Sequence, residues 1–141
     1  MLIYQDHFVA LVLRPETRIL SIKWLDSENS KMFEFETSFQ LLIDTIKSLS
    51  VEKLLIYNNH SISSIPEEAL KSKIILLCSG LTQTPLTKLA RVRFADEAAE
   101  AIIKKLTDDL QLVMASEIAF TYQAFENETE ALRWLEIPAN T

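Results

Sequence analysis

Hydrophobic positions along this chain recur first every second residue and later every third or fourth, and each change of period marks a new element. FVALVL (8–13) and RILSIKWL (18–25) flank PET, with Pro15 suited to the second position of a turn. The pair reads as an antiparallel hairpin. In its second arm Leu20, Ile22 and Trp24 alternate with Ser21 and Lys23, giving one core face and one wetter face. FETSFQLLIDTIKSL (35–49) moves to helical spacing, with Phe39, Leu42, Ile43, Ile46 and Leu49 on one stripe. Thr37 and Gln40 have the spacing of a capping box at its start. KLLIY (53–57) is almost wholly apolar, as an interior strand would be.

The polar run NNHSISS (58–64) follows, and Ser64 with Glu67 can cap a second helix. EEALKSKIILLCSGL (67–81) reads as that helix, with Leu70, Ile74, Leu77, Cys78 and Leu81 inward. A strand over KIILLC would leave too short a crossover, and Gly80 is the expected stop. Ile75 and Leu76 fall off the buried stripe. KLARVRF (88–94) returns to period two. DEAAEAIIKKLTDDLQLVM (96–114) is a long helix that Asp96 can cap, with Ile102, Leu106, Leu110 and Val113 as its buried stripe. IAFTYQAF (118–125) is the last strand. The closing helix is capped by Asn127, with Glu130 three places on.

This order predicts an α/β domain with a single mixed five-stranded sheet, in which an N-terminal hairpin is followed by βα repeats. If the strands are neighbours in sequence order, right-handed crossovers put the helices mainly on one face. Ser21, Lys23, Arg91, Arg93, Thr121 and Gln123 are then expected to form a wetter opposite face around Leu55 and Tyr57.

Composition narrows the function classes. The 141 residues suit one domain over 1–141, and 48% hydrophobic with 24% charged residues argues for a packed core. A net charge of −6 disfavours nucleic acid, and the candidate basic group is only Lys88, Arg91 and Arg93. The apolar runs fall far short of the ~20 residues of a membrane helix, so no stable membrane insertion is expected. MLIYQDHF has no basic region ahead of a long apolar stretch, and cytoplasmic residence is the expectation.

Chemistry is sparse. The histidines are His7 and His60, with no metal-binding spacing, and the single Cys78 permits neither an internal disulfide nor a cysteine metal cluster. One glycine removes the phosphate-binding loop, the dinucleotide fingerprint and the nucleophile elbow. The carboxylates Asp96, Glu97, Glu100, Asp108 and Asp109 read as solvated helix surface. No metal, cofactor or catalytic residue is therefore expected. The remaining candidate is the loop Asn58, Asn59, His60, Ser61, Ser63 and Ser64, just before a helix start, where an anion or phosphoryl group is electrostatically favoured.

KLARVRFADEAAEA followed by AFTYQAFENETEALRWL resembles the carboxyl-terminal half of the STAS-like domains related to the anti-sigma-factor antagonist SpoIIAA, where a strand ending in phenylalanine and an acidic turn precedes EAxxWL. The specific motifs cover about a third of the chain, and the rest agrees in layout. The resemblance implies a non-enzymatic module acting through protein contacts. It also implies a phosphorylated serine after the central strand, for which Ser61 is favoured over Ser63 and Ser64, although the usual Asp-Ser pair is absent. The family is also called SEC14-like for its likeness to lipid carriers, but close packing leaves little room here for a lipid.

Two classes of function follow. The first is a protein-interaction or regulatory module, possible as a homodimer or with another protein, using Ile75 and Leu76. The second is a small-molecule or lipid-binding protein with its site between NNHSISS and TQTPLTK (82–88), so a small ligand is not excluded. The tail FENETEALRWL is expected to be a packing lid that buries Leu132 and Leu135.

Overall fold

In the computed structural model, residues 1–5, 9–24, 32–57, 67–93 and 97–137 are described. The strands are β1 (Leu2–Gln5), β2 (Val9–Arg14), β3 (Ile19–Trp24), β4 (Lys53–Tyr57), β5 (Lys88–Val92) and β6 (Thr121–Phe125). The helices are α1 (Met32–Leu49), α2 (Glu67–Leu81), α3 (Glu97–Val113) and α4 (Glu128–Glu136). All six strands join one sheet in sequence order, antiparallel from β1 to β3 and parallel from β3 to β6. The sheet is thus six-stranded, not five-stranded. The extra strand is the exposed segment LIYQ, which has too few residues to show a period.

Register sorts the side chains into two faces, because partners in adjacent strands point the same way. The rows Leu20–Leu54–Leu89–Tyr122 and Ile22–Ile56–Arg91–Ala124 lie on the first face. There Leu42, Ile43 and Ile46 of α1 and Leu81 of α2 pack into one core with Val9, Leu11 and Leu13 of β2. α3 lies beside α2 on this face and is bonded to Arg91. Three crossovers of one hand over a sequentially ordered sheet require this one-sided arrangement.

The second face carries the rows Ile19–Lys53–Lys88–Thr121 and Ser21–Leu55–Ala90–Gln123. It is not left open. Ala131 and Leu135 of α4 form a second core with Ile19, Leu55 and Ala90, flanked by Tyr57, Val92, Phe125 and Trp134. The tail is a lid, but on the face opposite α1–α3. Asn127 caps α4 as expected, accepting from Glu130 N–H at 2.9 Å. At the other end Lys88 Nζ donates to the Trp134 and Ile137 carbonyls at 3.0 and 2.5 Å and lies 4.8 Å from the Trp134 ring centroid.

This register also corrects the expected wet face. Ser21, Lys23, Thr121 and Gln123 share the second face with Leu55 and Tyr57, but Arg91 belongs to the first and is buried at 5% exposure. Alternation in KLARVRF gives two phases without saying which is inward. Pairing with β4 puts Ala90, not Arg91, in the row of Leu55.

Helix ends hold further differences. α1 is already helical at Met32, so Thr37 lies inside it and Gln40 instead donates to Asp44 at 2.9 Å. It ends on Ser50, whose φ of 52° is left-handed; Val51 N–H reaches Ile46 O at 3.0 Å and Ser50 N–H reaches Lys47 O at 3.3 Å. Those two bonds are a Schellman closure without its usual glycine. KIILLC is helical, as expected. Gly80, however, is inside α2 and not its stop: a Cβ there would collide with Ile43 Cδ1 and lie 3.1 Å from Cγ1. Glycine at this position lets α1 and α2 approach closely.

Candidate functional site

α2 presents the apolar pair singled out by its spacing. Its Leu81 is buried, Ile74, Leu77 and Cys78 are partly buried, and Ile75 and Leu76 are 37% and 45% exposed. The geometry is that of a helix over a sheet. Residues three and four apart turn inward, and two consecutive apolar residues beside that stripe are left facing water. On α3 the buried stripe is Ile103, Leu106 and Leu110, continued by Met114 just past the helix. It is not Ile102 and Val113, which are 37% and 80% exposed. Leu112 is also 80% exposed. The helical layer therefore carries several large apolar side chains in contact with solvent.

The shifted stripe brings Glu100 into the interior, where it is 3% exposed. Arg91 Nη1 and Nη2 donate to its two carboxylate oxygens at 2.7 and 2.8 Å, and Arg91 Nε donates to Tyr122 Oη at 2.7 Å. Arg93 approaches the same carboxylate, Nε to Oε2 at 3.5 Å, and donates from Nη1 to Glu126 at 2.6 Å. Two guanidinium groups facing two carboxylates leave the cluster charge-compensated, with Arg91 engaged at all three of its nitrogens. It clamps the first turn of α3 to the carboxyl end of β5, and a bidentate pair is the strongest form of such a contact. Sequence reasoning placed Glu100 on the surface. The missed signal is that it lies three residues before Ile103, on the same stripe as Leu106 and Leu110.

A second polar group lies across the sheet. Arg14 Nη2 donates to Glu128 Oε1 at 2.9 Å, and both side chains are largely exposed. Burial, and after it the hydrogen bond and charge of Glu128, raise the Tyr57 phenol above its ordinary value, with Arg14 offsetting part of the effect. The phenol therefore stays protonated at neutral pH. Burial likewise pushes the Cys78 thiol up to about 11, which suppresses the nucleophilic thiolate. Desolvation, and then the neighbouring Lys53, lower the pKa of Lys88.

Among the described residues no group of three or more His, Cys, Asp and Glu could hold a metal ion, and no helix is long and apolar enough to cross a membrane. Asn58, Asn59, His60, Ser61, Ser63 and Ser64 lie outside the described residues, as do His7, Phe94 and Asp96. Of the two loops expected to frame a ligand site, 58–64 lies outside the described residues and 82–88 lies within them. Tyr57, which precedes the first loop, ends β4, whereas Thr87 N–H bonds Glu52 O at 2.7 Å at the start of β4. Residues 82–87 thus lead into β5 at the amino end of the parallel strands. A hollow of about 430 Å³ beside the latter loop is open to solvent and lined by Ser79, Thr82, Gln83, Met114 and Glu117. Its Thr82 hydroxyl is already bonded to Ser79 O at 2.6 Å.

No protein-family model, curated protein sequence or solved structure matches the chain.

Proposed function

We propose that the chain is a non-enzymatic protein-interaction module that receives a protein partner on the outer surface of α2, around Ile75 and Leu76. The observation that carries this reading is the exposure of that adjacent pair, 37% and 45%, on a helix whose Ile74, Leu77 and Leu81 are partly or fully buried. Apolar area left in water forgoes ~25 cal/mol per Å², and contiguous area of this kind is characteristic of contact surfaces. The resemblance to STAS-like modules, which act through protein contacts, supports the same class. On this reading phosphorylation at Ser61, Ser63 or Ser64 is the regulatory input, acting on the segment that leads into α2.

The test is a photo-crosslinking amino acid placed at Leu76, with Asp108 on exposed α3 as the control position. A discrete protein adduct from Leu76 alone, lost when Ile75→Glu is added, is expected. Equal labelling from both positions, or an adduct indifferent to Ile75→Glu, would remove the reading. The Ile75→Glu protein should melt as the native chain does, since exposed substitutions usually change stability by no more than about 0.5 kcal/mol.

A further inference from the structure

The two edges of the sheet are not alike. β1 is irregular: its pairing with β2 slips between Leu2 and Tyr4, the bulge by which edge strands commonly discourage further pairing. β6 pairs with β5 through five consecutive partners without a slip, and its sequence TYQAF contains no charge and no proline. Within Thr121–Phe125 there is thus no bulge, charge or proline to discourage further pairing.

Its free hydrogen-bonding groups can be assigned. Thr121 N–H bonds Thr87 O at 2.9 Å, and Arg93 N–H bonds Phe125 O at 2.8 Å. Thr121 and Phe125, with Gln123 between them by alternation, therefore direct their backbone groups at β5. Tyr122 and Ala124 must direct theirs away, and β6 ends the strand order. The edge accordingly offers two N–H and two C=O groups in a strand whose Thr121 and Gln123 side chains are exposed on the second face.

We propose that two copies of the chain join through β6, antiparallel, with their Gln123 residues on the twofold axis, making one continuous sheet. Such a strand is its own complement. Tyr122 of one copy exchanges both backbone bonds with Ala124 of the other, and the symmetry repeats the exchange. Thr121 then faces Phe125 of the second copy, the aromatic with β-branched pairing that stabilises antiparallel strands. On the first face the large Tyr122 sits opposite the small Ala124. No carboxylate within β6 meets another, which matters for a chain of net charge −6. This surface is distinct from α2 and does not depend on the reading given for it.

Sedimentation of the intact chain, from micromolar concentration upward, tests the pairing. The native protein should reach twice the 16.1 kDa of one chain. Gln123→Lys puts like charges face to face across the axis and should weaken the dimer at least about tenfold, with partial recovery at high salt. Ala124→Pro deletes an outward N–H without touching the bonds to β5 and should give a folded monomer. The double variant Ile75→Glu/Leu76→Glu should stay dimeric. A native protein that remains monomeric throughout would overturn the proposal. So would a folded Gln123→Lys protein that dimerises with native affinity, and that variant decides the matter if Ala124→Pro fails to fold.

Discussion

Arg91 and Glu100 meet through two parallel hydrogen bonds of 2.7 and 2.8 Å beneath α3, with side chains only 6% and 4% exposed. Burying two charges is favourable only while each satisfies the other, so the pair is a fastening that tolerates no half measures. Glu100→Ala should cost about 3–5 kcal/mol, because it leaves the buried Arg91 charge without its carboxylate, and Arg91→Ala should cost less, because Arg93 still stands 3.5 Å from Glu100. Replacing both, as Arg91→Met with Glu100→Leu, should come out near neutral. Urea unfolding of the three variants is the check; a double variant as weak as the singles would show that the charges themselves hold α3.

Opposite outcomes are expected at two backbone positions. Ser50 is left-handed at φ 52°, a conformation that costs a non-glycine residue roughly 1 kcal/mol, so Ser50→Gly should raise the melting temperature. Gly80→Ala should lower it despite the better helix propensity, since the new methyl meets Ile43 Cδ1 and overpacking costs about 1–3 kcal/mol. Measured in an Ile43→Val background, the Gly80→Ala penalty should shrink. Unchanged penalties in both backgrounds would mean that the contact is not its cause.

The lid predicts a measurable loss on truncation. Ending the chain after Asn127 uncovers the Ile19, Leu55 and Ala90 patch and strands Lys88, removing Ala131 and Leu135 from a fully enclosed site. Core truncations cost about 2–5 kcal/mol each, so the shortened chain should unfold at clearly lower denaturant. Asn127→Ala, which removes only the cap, should cost about 1 kcal/mol. Coincident unfolding curves for full and shortened chains would refute the lid.

Cys78 supplies a pH signature. Its thiol is raised from the ordinary 9.0 to about 11 by burial. The folded state therefore holds a proton that the unfolded state releases first. The corresponding stability is complete below pH 9, declines above it, and is gone once pH has passed 11. Cys78→Ala should flatten that part of the alkaline limb. Near neutral pH the native thiol should react with a disulfide reagent about a hundredfold more slowly than a free thiol, from its smaller thiolate fraction. Reaction at the free-thiol rate would show that burial does not suppress the Cys78 thiolate.

The residues Phe39, Leu42, Ile43 and Ile46 announced the inner stripe of α1, and KLLIY announced an interior strand, because hydrophobic patterning is a local property that survives in the linear chain. The helical character of KIILLC and the Asn127 cap were legible for the same reason. So was the pair Ile75 and Leu76, which has no place on a single helical face. The serine-rich loop was legible as a pattern, but lies outside the described residues.

What only tertiary structure decided is which phase of an alternating or helical pattern turns inward. Arg91 and Ala90 are indistinguishable as alternatives until β5 is registered against Leu55 and Ile56. Glu100 reads as surface until Arg91 stands opposite it. LIYQ becomes a strand only because β2 offers a free edge, and Gly80 reads as a stop until Ile43 arrives against it. Each of these depends on a partner distant in sequence. A one-residue choice of phase changes little in local propensity, yet it reverses which groups lose water, so the energy that settles it exists only after the layers have packed.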